Sequence, residues 1–188
     1  MPGYFAALTI VIMIGMVVTR ALLLKRSGLE ALHFGRIDRK DFLIPPFALF
    51  YFYCVFAAAF HFLGPSTQQF LPYQAVAWIG VLFCLAGLLL LLWSLVSFGK
   101  SFRVGIDTNH PGKLVTSGIF AFSRNPIYVA FAIILAGQFL IFSNWILLVY
   151  SVAAVWLFHR QVRREEDYLQ KQYGLEYFQY CSRVRRYI

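Results

Sequence analysis

A chain of 188 residues that is 60% hydrophobic and 13% charged, with a mean hydropathy of +0.67, is neither an ordinary soluble domain nor a disordered segment. Its net charge of +9 needs no nucleic acid, because its basic residues flank apolar segments, where they set topology and attract anionic headgroups. Cys54, Cys84 and Cys181 show no CxxC or metal-ligand spacing, so no metal is expected and they read as small core residues or reduced thiols.

Residues 1–19, 42–99 and 126–159 contain no Asp, Glu, Lys or Arg. A bilayer core takes roughly 20 apolar residues per helix. Residues 4–24, 42–63 and 73–98 therefore read as three full spans, with Gly64-Pro65-Ser66-Thr67 breaking the second from the third. Residues 126–142 and 145–159 read as a shorter hairpin about Ser143-Asn144. The expected fold is all-α: a polytopic membrane bundle of five helices, a cytoplasmic loop and a C-terminal helix. Residues 1–98 form a three-span bundle and 99–188 the remainder of a single membrane domain.

The basic residues orient it. Lys25, Arg26, Arg36, Arg39 and Lys40 follow the first span, Lys100, Arg103, Lys113 and Arg124 follow the third, and most of the rest follow the fifth. The connections on the other side carry none, so an odd number of spans puts the N-terminus outside and the C-terminus in the cytoplasm. The first span lacks a basic leader and a small-residue cleavage site, and is expected to be retained.

Within the spans, Phe47, Phe50, Tyr51, Phe52, Tyr53, Phe56, Phe60 and Phe62 make the second one aromatic, fit for lipid contact or for the wall of a hydrocarbon tunnel. Gly80, Cys84, Ala86 and Gly87 would let another helix approach the third closely. Residues 99–123 form a connection longer than most, and its apolar Phe102, Val104, Ile106, Leu114, Val115, Ile119 and Phe120 argue for order. Beyond residue 160 a helix continues, with Gly174 as its C-cap. An interfacial segment rich in Tyr and Arg then closes the chain.

Two polar clusters stand out. At the first, Asn125 is a favoured N-cap and Pro126 a favoured first helical residue. The helix start, with Arg124 beside it, suits a carboxylate or phosphate, and Tyr128 lies one turn in. In the second, Gln161 and Glu165 share one helix face, and Arg160 and Arg164 the adjoining one. The hairpin brings the two clusters together, making a site for a zwitterionic, nucleotide-like ligand with a cationic centre. Polar groups at a membrane boundary are costly without such a use.

Leu114-Val115-Thr116-Ser117-Gly118-Ile119-Phe120, Arg124-Asn125-Pro126-Ile127-Tyr128, Arg164-Glu165-Glu166 and Tyr173-Gly174-x-x-Tyr177-x-x-Tyr180 resemble the isoprenylcysteine carboxyl methyltransferase family of integral membrane enzymes, a group related to phospholipid N-methyltransferases. The resemblance covers residues 94–188. It implies a methyltransferase using S-adenosylmethionine on the cytoplasmic side. Gly112, Lys113, Leu114 and Val115 would line the adenosine, Phe120 take a cofactor-side position that the family usually fills with Tyr, Asn125, Pro126, Ile127 and Tyr128 contact the cofactor, and Glu165 bind its amino-acid end. Asn125 stands where the family carries His and cannot titrate. Gln161 stands where carboxylate-methylating members carry a substrate-binding Arg, leaving Arg160 or Arg164 to act with it on the acceptor.

The partners this implies are a lipophilic or lipid-anchored acceptor, bearing a carboxylate, thiol or amine, and membrane lipids. A carboxylate or thiolate needs no base. An amine or hydroxyl would, and Glu166, Asp107 and His110 are the groups near enough to serve. Two other readings compete. One is an NADPH-dependent reductase of a sterol-like or polyprenyl substrate, with Lys113, Arg124 and Arg164 for the 2′-phosphate but no Gly-rich fingerprint. The other is a non-catalytic membrane partner, disfavoured because no charge lies deep within a span.

Overall fold

The computed structural model describes residues 1–26, 44–62, 70–99 and 114–188. The described residues form six α-helices: α1 (Pro2–Arg26), α2 (Ile44–Ala59), α3 (Gln74–Phe98), α4 (Pro126–Phe142), α5 (Trp145–Tyr173) and α6 (Leu175–Arg183). Among them the only strand-like pairing is an isolated bridge between Ser123 and Arg185. Gly112, Lys113, Asp107 and His110, and the break at Gly64-Pro65, lie outside the described residues.

Three helices, α1, α3 and α5, are long and apolar enough to cross a membrane. At 16 and 17 residues, α2 and α4 are shorter apolar helices, about 24 and 26 Å long at the α-helical rise. The outward faces of α3 and of the first half of α5 are apolar: Leu82, Leu85, Leu89 and Val96 on α3, and Val149, Val152 and Trp156 on α5, are all exposed. An apolar surface of this extent on a water-soluble monomer would drive association; in a bilayer it is simply solvated.

The backbone of the bundle is the crossing of α3 and α4. Gly80 and Gly137 meet so closely that a Cβ on Gly80 would stand 2.5 Å from the Gly137 carbonyl, and one on Gly137 would stand 2.6 Å from that of Gly80. Lower down, Gly87 faces Ile134 and Ala130 in the same way. Small residues at an interface permit backbone contact that larger ones forbid. Polar anchoring joins the packing. Gln138 is fully buried, donates to the Ala6 carbonyl at 3.2 Å, and accepts from the Tyr51 hydroxyl. Tyr51 and Phe47 both stack on Tyr150. Part of the aromatic content of α2 is thus helix–helix glue, while Phe50 and Tyr53 remain exposed.

Ser143, in the left-handed region at φ 41°, ends α4, and the Asn144 side chain accepts from Leu147 N–H at 2.9 Å to start α5. From there α5 passes α4 closely enough that the Phe158 ring lies 5.7 Å from Tyr128 and 5.8 Å from Phe131. It continues unbroken to Tyr173, where Gly174 (φ 52°) reverses the chain into α6. The long α5 and its fold-back are what carry the charged residues to the start of α4.

Candidate active site

The approach to α4 is pinned from both sides. Gly118 (φ 64°) lies against α3, where a Cβ would fall 2.5 Å from the Ser97 hydroxyl. Any other residue would be both strained and displaced there. One 3₁₀ turn, Gly118–Ala121, buries Phe120, whose ring meets Phe98 edge-on at 4.8 Å. The Phe120 carbonyl accepts from the Tyr180 hydroxyl of α6 at 2.6 Å. Ser123 Oγ then accepts from Asn125 N–H at 3.2 Å, and Pro126 opens α4.

Asn125 sits at the N-cap position, yet its side chain makes no capping bond. Capping requires the side-chain oxygen to turn back over the helix start. Here the amide is drawn away: Nδ2 donates to Glu166 Oε1 at 3.0 Å and to the Arg186 carbonyl at 3.1 Å. The expected cap is therefore absent, and the Asn125 side chain leaves the first turn of α4 uncapped.

Glu166 is the hub. It is buried and takes a second donor, Arg186 Nε, at 2.8 Å, with Arg124 at 3.5 Å. A buried carboxylate is tolerable only when its oxygens are satisfied in this way. Arg124 also donates to Cys181 Sγ, and its backbone N–H donates to the Arg185 carbonyl at 3.0 Å. The residues after α6 thus lie as a strap along Ser123–Asn125. Burial works against the Arg124 charge, but Glu166, Cys181 and Tyr177 around it outweigh that and hold its pKa above the ordinary value. Burial pushes the Tyr180 hydroxyl up to about 12 against the opposing pull of Arg124. Burial and then the Glu166 carboxylate also raise Tyr177.

Glu165 looks the other way. Its Oε1 accepts from the Tyr128 hydroxyl at 2.7 Å and from Gln161 Nε2 at 3.1 Å, two donors that orient the carboxylate over the first turn of α4. Asn125, Pro126, Ile127, Tyr128, Gln161 and Glu165 are therefore brought to one end of the bundle, with Phe120 beside them. Leu114 and Val115 are half-buried at its approach, Arg164 is half-buried, and Arg160 is exposed. Arg124, expected to face an anion, is instead engaged by Glu166 and Cys181. Sequence reasoning missed Glu166 as a structural centre, and gave Arg186 and Cys181 no part in the site. One signal for Glu166 was present: it follows buried Val162 by four residues, which puts a carboxylate on an apolar stripe.

A family model described as phospholipid methyltransferase matches residues 75–176, more than half the chain and all but the first residue of the α3–α5 framework just described. The chain belongs to this family. Among relatives, a probable protein-S-isoprenylcysteine O-methyltransferase of Oryza sativa subsp. indica is 27% identical over 140 residues, 69% of this chain and 72% of that one. Protein-S-isoprenylcysteine O-methyltransferase B of Arabidopsis thaliana is 30% identical over 108 residues, 56% of this chain and 55% of that one. The protein-S-isoprenylcysteine O-methyltransferase of Schizosaccharomyces pombe is 36% identical over 94 residues, 48% of this chain and 40% of that one.

The protein is accordingly a membrane methyltransferase of the phospholipid methyltransferase family, similar to isoprenylcysteine methyltransferases, and the reductase reading is not favoured. Of the three groups expected to serve as a general base, Glu166 is held by Asn125, Arg186 and Arg124, and the other two lie outside the described residues.

Proposed function

We propose that the protein transfers a methyl group from S-adenosylmethionine to a lipophilic acceptor, at the cytoplasmic edge of a five-span bundle whose N-terminus lies outside. The observation that carries this reading is the pair of contacts Tyr128–Glu165 and Asn125–Glu166, which joins the start of α4 to the charged run of α5. The orientation is supported by the basic residues Lys25, Arg26, Arg124, Arg160 and Arg186, which end α1 or cluster about the start of α4, in keeping with the positive-inside rule.

The donor set fits the cofactor. The oriented Glu165 carboxylate suits its ammonium group, the uncapped start of α4 its carboxylate, and the rings of Phe120 and Tyr128 its purine or its cationic sulfur. When bound, S-adenosylmethionine supplies a methyl group on a sulfonium, already a potent electrophile. What remains for the protein is placement and exclusion of water. Tyr128 and Gln161 hold Glu165, while Phe98, Phe120 and Phe158 close the apolar sides. Because Glu166 is committed to its cationic partners, an acceptor that is already anionic is favoured, as a carboxylate or thiolate on a lipid or lipid-anchored chain. Gln161 and Arg164, with Arg160 at the rim, are the side chains placed to meet it.

Isothermal titration of the detergent-purified protein with S-adenosylhomocysteine tests this. Saturable binding that Glu165→Ala abolishes is expected. Absence of binding to the unaltered protein overturns the reading.

A further inference from the structure

Both amide hydrogens of Asn125 are taken by the protein. One goes to a carboxylate oxygen of Glu166 at 3.0 Å and the other to the Arg186 carbonyl at 3.1 Å. Each partner is an acceptor only, so the amide has one admissible orientation; turned over, its oxygen would face two oxygens. The Asn125 Oδ1 takes no hydrogen bond among the described residues. Asn125 as a whole is 9% exposed, so that oxygen is a nearly buried acceptor at the start of α4.

Glu166 cannot relax this arrangement. Its other oxygen receives Arg186 Nε at 2.8 Å, and Arg124 stands 3.5 Å from the oxygen that Asn125 uses. The carboxylate is gripped from two sides, and the strap that carries Arg186 is itself tied to Arg124 through the Arg185 carbonyl.

We infer that Asn125 offers the bound cofactor a hydrogen-bond acceptor and no donor, and that Glu166, braced by Arg186, is the positioning residue that imposes this polarity. The inference rests on the proposed S-adenosylmethionine site and narrows it. The group opposite Oδ1 must be an N–H or O–H of the cofactor: the purine amine, a ribose hydroxyl or the amino-acid ammonium. A residue able to donate at this position would select differently, so the amide sets which end of the ligand is recognised here.

The test is a set of thermodynamic cycles on the full-length protein in detergent. S-adenosylhomocysteine is compared with four analogues, lacking in turn the purine amine (6-oxo), the 2′-hydroxyl, the 3′-hydroxyl and the amino group. In the unaltered protein, deletion of the donor facing Oδ1 weakens binding roughly tenfold, as loss of one well-formed hydrogen bond does. Asn125→Ala weakens S-adenosylhomocysteine by a similar factor and abolishes the further loss for that one analogue, leaving the other three losses intact. Glu166→Gln gives the same collapse of coupling, because a glutamine whose oxygen accepts from Arg186 Nε presents its NH₂ to Asn125 and draws the amide oxygen toward itself.

Four undiminished losses in Asn125→Ala overturn the inference while leaving cofactor binding in place. A protein that binds no S-adenosylhomocysteine overturns the site and the inference together. Coupling that survives intact in Glu166→Gln removes Glu166 from its positioning role. Should that variant fail to purify, the Asn125→Ala cycles still decide the acceptor role.

Discussion

Replacing Gly80 with alanine drives a methyl group into the backbone of the neighbouring helix. The new Cβ would lie 2.5 Å from the Gly137 carbonyl oxygen and 2.9 Å from both the backbone nitrogen and Cγ1 of Ile141. Two of those three atoms are backbone and cannot turn aside. Restoring an ordinary contact of at least 3.4 Å requires α3 and α4 to part by roughly 0.9 Å at the crossing. A gap of that size forfeits a quarter to a half of the dispersion well for each facing pair. Overpacking of this kind costs about 1–3 kcal/mol, and a crossing made of backbone belongs at the upper end. For a chain of this length the loss lowers the unfolding midpoint by about 5–10 °C. Gly137→Ala meets the Gly80 carbonyl at 2.6 Å and behaves alike. The double variant costs much less than the sum, because helices already parted accommodate the second methyl. Gly15, on α1 with nothing within 4 Å of its would-be Cβ, is the control, and alanine there leaves the midpoint unchanged or raises it. Size-exclusion-monitored thermal unfolding in detergent measures all four. Gly80→Ala unfolding at the unaltered midpoint, or fully additive losses in the double variant, refutes the close crossing.

Deleting residues 184–188 removes the carbonyl partners of Arg124 N–H and Asn125 Nδ2 and the guanidinium on Glu166. The bundle stays folded by size-exclusion, while S-adenosylhomocysteine affinity falls by roughly tenfold or more, since several hydrogen bonds that order the site go at once. Tyr180 and Tyr177 predict an alkaline limit. Their folded values are raised, so the folded state holds these protons more tightly than the unfolded chain does. The stability they contribute is complete below the ordinary tyrosine value of about 10. It is lost as pH climbs through the raised folded values, near 12 for Tyr180. Unfolding midpoints recorded from pH 8 to 12 should be flat and then fall, and Tyr180→Phe should flatten the fall.

The apolar helices were legible because charge-free runs are hard to disguise: Gln74–Phe98 and Pro126–Phe142 coincide with the expected boundaries within a residue. Pro126 and Gly174 marked a helix start and a helix end by backbone chemistry alone. The closeness of Asn125 and Tyr128 to the second cluster followed from the short Ser143-Asn144 link. What escaped the sequence is of another kind. Asn125 has the composition of a cap, but a buried carboxylate 41 residues away outcompetes the helix start for its amide. Glu165 and Glu166 are neighbours in the chain and about 100° apart on the helix, so one faces Tyr128 and the other the strap. No local pattern announces that Arg186 returns to Asn125 across 61 residues. The end of α2 at Ala59 was likewise hidden, since Phe60 and Phe62 keep the sequence apolar beyond it.

The most direct test of the account is transfer itself. Purified protein, its native membrane lipid extract and S-adenosylmethionine labelled in the methyl group are incubated together, and the label is followed into the organic phase. The account predicts a labelled lipophilic product that forms with the unaltered protein and disappears with Glu165→Ala. Label that never leaves the aqueous phase, from a protein shown to be folded, would contradict it.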